Sequence, residues 1–217
     1  MAVEDVLEAV AAEVRVCTKC DLCLNTKNGV PGEGSPHAEV LFIGEAPGYH
    51  EDRQGRPFVG PAGQFLNELL GSVGLDRSTV FITNVVKHRP PENRDPLPDE
   101  ILACSDYLTR QIAALNPKVI VTLGRFSMAR FFPGAKISAI HGQAKKVDGR
   151  IVVAMYHPAA ALHQQSLRQT VVDDFKRSIP PALAEARRME AEGNPGNKDE
   201  KKKKDDEGEP PQQLSLF

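Results

Sequence analysis

Four short polar motifs each follow an apolar run in this chain: Gly44-Glu45-Ala46-Pro47-Gly48, Thr83-Asn84, Leu123-Gly124 and His157-Pro158. They carry a carboxylate, an amide and an imidazole, side chains that between them accept hydrogen bonds, donate them and move protons. If the apolar runs are strands of a mostly parallel sheet, the loops at their carboxyl ends converge on one crevice. Glu45, Asn84 and His157 would then meet in space although they lie far apart in sequence. A second constellation is made of thiols. Three of the four cysteines form Cys17-x-x-Cys20-x-x-Cys23, and Cys104 stands far downstream. In a reducing compartment such clustering points to metal or redox chemistry rather than to disulfides.

The elements that must position these groups follow from periodicity. Val3, Val6, Leu7, Val10 and Val14 have helical spacing over residues 3–15 and lead directly into the cysteines. A Gly/Pro-rich stretch from Asn28 to Pro36 precedes the apolar run Glu39 to Ile43, which reads as a buried strand. Gly63 to Val73 reads as a helix and Val80 to Thr83 as a strand. Lys87 to Pro98 holds four prolines and must be a loop. Pro98-Asp99-Glu100 opens a helix reaching Leu115, with proline and acids where a first turn favours them. Lys118 to Leu123 is a strand, Arg125 to Phe132 a short helix and Ile151 to Tyr156 a fourth strand. This alternation predicts an α/β fold, a three-layer α/β/α arrangement around a central, mostly parallel four-stranded sheet.

Composition sets the limits. The 217 residues are 41% hydrophobic, enough for one well-buried domain. No apolar run approaches the roughly 20 residues that a membrane-crossing helix needs. The acidic start Met1-Ala2-Val3-Glu4-Asp5 lacks the pattern of a secretory signal, so a cytoplasmic location is expected, with a monomer as the default. Residues 191–217 contain five Lys and seven acids of the chain's 27 basic and 29 acidic residues, which leaves the rest formally neutral with 22 of each. Binding to nucleic acid would therefore depend on a local patch, with Lys87-His88-Arg89 and Arg94 the best candidate.

Taken singly, the polar motifs have plain explanations: an Asn in a turn, a structural His-Pro, a Phe in a core. Gly44-x-x-x-Gly48 also fits neither the dinucleotide fingerprint nor a Walker loop. Its continuation, Glu51-Asp52-Arg53-Gln54-Gly55-Arg56-Pro57-Phe58-Val59-Gly60-Pro61-Ala62-Gly63, is far more specific. Together with Thr83-Asn84-Val85-Val86-Lys87 and Tyr156-His157-Pro158-Ala159, it closely resembles the family 4 uracil-DNA glycosylases over residues 10 to 180. The resemblance implies a monofunctional glycosylase that flips uracil out of single- or double-stranded DNA and hydrolyses its N-glycosidic bond. An abasic site would be left for base excision repair.

By the same resemblance Phe58 stacks on uracil, Asn84 reads N3–H and O4, and His157 donates to O2. Glu45 orients water or stabilises the sugar cation, with Glu51 and Asp52 as other nearby acids. Gly44 and Ala46 line the base, and Leu162 in Pro158 to His163 is the wedge that enters the duplex. A [4Fe-4S] cluster is also implied. Cys17, Cys20 and Cys104 match its ligands, and the remaining position is His88, with Cys23 as a second solution. Zinc on the same ligands is chemically possible. A histidine after Val-Lys also occurs in relatives that capture uracil-DNA covalently, but their inserted basic loop is not evident between Arg89 and Asp99. The alternative function is a non-turnover or covalent uracil-DNA binding protein.

The glycosylase domain is read over 1–190, followed by a charged disordered linker over 191–212. The terminal Gln213-Leu214-Ser215-Leu216-Phe217 resembles the pentapeptide with which bacterial repair proteins bind the β sliding clamp. Gln213, Leu214, Leu216 and Phe217 would be its anchors.

Overall fold

The computed structural model describes residues 2–192. The pentapeptide 213–217, and all of the 191–212 linker beyond its first two residues, lie outside the described residues. The strands are β1 (Glu33–Gly34), β2 (Val40–Gly44), β3 (Phe81–Asn84), β4 (Val119–Leu123), β5 (Ala144–Val147) and β6 (Arg150–Met155). They form one sheet in the order β1-β3-β2-β4-β6-β5. The inner four strands are parallel, as expected, and β1 and β5 add an antiparallel strand at each edge, so the sheet has six strands rather than four. Neither edge strand has an apolar run. β1 is two residues long, and Ala144-Lys145-Lys146-Val147 is largely exposed, with the lysines that suit a sheet edge.

The helices are α1 (Val3–Arg15), α2 (Tyr49–Gln54), α3 (Pro61–Ser72), α4 (Pro98–Leu115), α5 (Arg125–Ala129), α6 (Ile137–Ile140), α7 (Pro158–His163) and α8 (Leu167–Ala191). Strand alternation distributes the core to both faces. Val40, Phe42 and Val121 pack against Phe65 and Leu66 of α3 and Val171 and Phe175 of α8. Leu41, Ile43 and Ile120 pack against Cys104 and Leu108 of α4, with Leu7 of α1 alongside. Because β3 and β4 lie on opposite sides of β2, the chain reverses direction across the sheet there, and the crevice opens above β2.

Helix α4 begins as its first turn predicts. Glu100 accepts the Leu97 N–H at 2.7 Å and receives Arg94 through both guanidinium nitrogens. α5 is shorter than the stretch read as helix and stops at Ala129, because Pro133-Gly134 follows closely. The long α8 has no early sequence signal, since Pro180-Pro181 reads as a breaker. Both prolines lie on its exposed face, where water can satisfy the carbonyls they leave unpaired. No described helix is long and apolar enough to cross a membrane.

Candidate active site

A cavity of about 310 Å³ opens above β2, walled by Glu45, Ala46, Phe58, Asn84 and His157. That is near the lower end for ligand pockets, a size suited to a single nucleobase. Parallel pairing of β2 with β3 sets Gly44 opposite Asn84. A Cβ at Gly44 would lie 2.3 Å from Asn84 Oδ1 and 2.6 Å from the Phe58 ring, so only glycine lets the three meet. Asn84 is buried, and its Oδ1 has no hydrogen-bond partner among the described residues. A buried acceptor left alone costs about 1–3 kcal/mol, and here it borders the cavity.

Phe58 is held under strain. Its φ is 50°, in the left-handed region that favours glycine. Arg77 donates to the carbonyls of Pro57 and Phe58 and pairs with Glu33, which also binds Arg56. From the other side, Glu51 Oε1 accepts the N–H groups of Val59 and Gly60 at 2.8 and 2.9 Å, and its Oε2 accepts that of Gly48 at 3.1 Å. Gly63 completes the clamp, since a Cβ there would come within 1.9 Å of the Phe58 carbonyl oxygen. So fixed, the Phe58 ring lies 5.5 Å from that of His157, with 25° between the planes.

His157 follows β6 and caps α7: its Nδ1 accepts the Ala159 N–H at 3.1 Å. An acceptor at Nδ1 requires the proton of the neutral ring to sit on Nε2. Burial holds the imidazole well below its usual range, at about 4, although the Glu51 charge opposes the shift. Glu45 Oε1 accepts the Phe126 N–H at 3.1 Å. Gly124, at φ 96°, makes room for this carboxylate, because a Cβ would stand 2.3 Å from it. Burial raises the Glu45 pKa above the ordinary carboxylate value, opposed by the Phe126 N–H and the Arg125 charge. The cavity thus presents an aromatic face, an unpaired amide acceptor, a neutral N–H donor and a carboxylate that gains base strength.

Leu162 lies on α7, beyond His157, and is 43% exposed. The basic patch read from Lys87, His88, Arg89 and Arg94 does not form as such. Lys87 and His88 are buried and Arg94 is engaged by Glu100, which leaves Arg89 as the accessible unpaired cation. The Lys87 ammonium instead donates to Thr83 Oγ1 at 2.7 Å, the Asn84 carbonyl at 2.9 Å and Gln111 Oε1 at 2.8 Å. Gln111 and Thr83 in turn donate to the Pro31 carbonyl. Nothing in the local sequence marks Lys87 or Arg77 as braces, because Gln111, the far partner of Lys87, and Glu33 and Phe58, the partners of Arg77, lie in other segments. Asp52 is also buried rather than solvated, accepting the Lys27 and Asn28 N–H groups at 2.7 and 3.2 Å.

All four cysteines are free. Cys17 lies just past the end of α1, Cys20 precedes a 3-10 turn over Asp21–Asn25, and Cys104 lies in α4, which packs on α1 and is tied to it by the Glu13–Arg110 ion pair. Burial, reinforced by Cys20 and Cys17, pushes the Cys104 thiol up to about 11 against the N–H and ammonium of Lys87. Cys20 is raised by burial, with smaller pushes from Cys17 and Cys23. The His88 ring is buried near Asp52. Three buried or half-buried thiols suit a thiophilic centre in kind. Among the described residues, however, no three such side chains converge at metal-binding geometry.

The fold and site define an α/β protein with a base-sized crevice at the carboxyl edge of a parallel sheet. Residues 31–178 match the model of the uracil DNA glycosylase superfamily. The chain is 50% identical over 185 residues to a type-4 uracil-DNA glycosylase of Sulfurisphaera tokodaii, covering 80% of this chain and 83% of that one. It is 47% identical over 180 residues to the type-4 enzyme of Archaeoglobus fulgidus, covering 79% and 90%. With that of Thermotoga maritima it shares 43% over 180 residues, covering 81% and 94%. The chain belongs to the uracil DNA glycosylase superfamily, in its type-4 branch.

The lowered pKa of His157 has a measurable sign. Between about 4 and the ordinary 6.5 the unfolded chain binds the proton and the folded chain does not, so stability rises with pH across that window. Denaturation midpoints of the wild type are expected to climb from pH 4 to 6.5 more steeply than those of His157→Gln. Equal slopes would mean that the ring is solvated.

Proposed function

We propose that this chain is a monofunctional uracil-DNA glycosylase, acting as a cytoplasmic monomer on uracil flipped out of DNA. The observation that carries this reading is the unpaired Asn84 Oδ1 beside a base-sized cavity. Uracil offers an N3–H to that acceptor and an O4 to the Asn84 amide N–H. Cytosine reverses both groups and leaves a buried acceptor facing another, which the site rejects strongly. Phe58 supplies the stacking face and Gly44 and Ala46 the wall. Leu162, exposed on the next helix, fills the space the base vacates.

In the reaction the C1′–N1 bond breaks and its electron pair leaves with uracil. Negative charge grows at O2, where the His157 Nε2–H donates without having to lose a charge of its own. The Glu45 carboxylate faces the sugar as it becomes cationic and takes the proton of the water whose oxygen bonds to C1′. Glu45 must be ionised for this. Activity therefore falls as pH drops through its raised pKa, at a pH above the ordinary carboxylate range. The test is a single-uracil oligonucleotide treated with protein, then alkali, and resolved on a denaturing gel. A strand cut only after alkali is expected, with an acid limb above pH 4.5 that Glu45→Gln abolishes along with about 100-fold or more of the rate. An uncut strand, or a slow band surviving denaturation, would overturn turnover.

The thiols of Cys17, Cys20 and Cys104 would hold a [4Fe-4S] cluster, with His88 as fourth ligand. The support is adjacency, since His88 follows Lys87, whose N–H meets Cys104; Cys23, close enough to act on Cys20, is the competitor. The cluster would tie α1 to the Pro-rich loop and so support the Lys87–Asn84 brace. Iron content and visible absorbance should fall in His88→Ala and persist in Cys23→Ala; the reverse pattern would assign Cys23. Gln213, Leu214, Leu216 and Phe217 would dock on the β sliding clamp and raise the local concentration of enzyme at replicating DNA. A clamp pull-down should fail once the last five residues are deleted, and equal capture would refute the motif.

A further inference from the structure

Beside the pocket rim stands an aromatic group with no part in reading uracil. Tyr49 opens α2 directly after Gly48 and is 50% exposed, one of the few large exposed hydrophobic side chains among the described residues. Two guanidinium groups attend it: Arg89 lies 5.3 Å and Arg53 5.8 Å from the ring centroid. The His50 ring meets it edge-on at 5.5 Å. Arg89 is steadied by Asn93, accepting at 2.7 Å, and Asn93 itself lines the pocket.

Most arginines among the described residues pair with a carboxylate, and the two around this tyrosine do not. Arg77, Arg94, Arg125 and Arg168 each pair with a carboxylate. Among the described residues Arg53 and Arg89 make no such pair, in a folded part that is formally neutral. Two unneutralised guanidiniums beside an exposed aromatic face, one residue from the wall of a base pocket, complement a nucleotide: the ring matches a base and the cations its phosphates. An exposed contact between a guanidinium and a ring is weak. Either arginine can leave the ring for a phosphate as a base takes its place.

We propose that Tyr49, Arg53 and Arg89 form a platform for the nucleotide adjacent to the flipped uracil, stacking its unpaired base on Tyr49. This rests on the reading of the pocket as a uracil site. A base without a pairing partner is free to turn onto the ring. The platform therefore favours single-stranded substrate.

The experiment uses full-length protein and three single strands, each with one uracil. One has ordinary neighbours, one an abasic spacer on the 5′ side and one a spacer on the 3′ side. On the ordinary strand Tyr49→Ala is expected to raise KM roughly tenfold, the scale of one lost base stack, with kcat unchanged and Tyr49→Phe close to wild type. On one of the spacer strands wild type should weaken by the same factor and Tyr49→Ala should cost nothing more. Arg89→Gln should flatten the dependence of binding on salt. An equal Tyr49→Ala penalty on all three strands, or none on the ordinary strand, would overturn the platform. Binding of the same strands read by fluorescence anisotropy keeps the two readings separate. If wild type released no uracil but the spacer pattern persisted in binding, the glycosylase reading would fail and the platform stand.

Discussion

The structure turns on one close approach, that of Gly44 to Asn84 across the parallel pair of β2 and β3. It brings a buried amide with an unpaired oxygen to the floor of a cavity, a costly arrangement in the absence of a ligand. The surrounding structure holds it in place. Lys87 fastens the Asn84 carbonyl, Phe58 closes the space above it in a strained conformation, and His157 lies against Phe58. Strain and unsatisfied polarity persist only where neighbours over-determine them.

Buried charge is handled by one repeated device. Glu51, Asp52 and Glu45 each accept backbone N–H groups from a different segment, and Lys87 donates to three oxygens. An unpaired buried charge would be prohibitive, but a charge shared among backbone groups also locks loops together. Glu51 thereby joins the Gly48 turn to the Phe58 loop. Lys87 joins β3, α4 and the segment of Pro31. The Cys104 thiol adjoins that second junction through the Lys87 N–H.

These braces also set the electrostatics. A His157 kept neutral with its proton on Nε2, and a Glu45 whose pKa is raised, are both consequences of desolvation in the same small space. One is prepared to donate to a developing anion and the other to face a developing cation. Neither property belongs to the residue type alone.

Periodicity and motif order in the sequence were enough to determine four inner strands, their parallel arrangement, α1, α3 and α4, and the meeting of Glu45, Asn84 and His157 in one crevice, to which the family resemblance added Phe58. Apolar runs and turn residues are local signals, and the order of strands constrains where their loops can go. What lacked a local signal stayed hidden: the two polar edge strands, a long helix containing two prolines, and the braces Arg77, Glu51 and Lys87. A basic cluster in the sequence became, in space, two buried residues, one salt-bridged arginine and one free one. Only the tertiary structure decided these, because burial, tautomer and pKa depend on partners brought together from segments 80 and 81 residues apart.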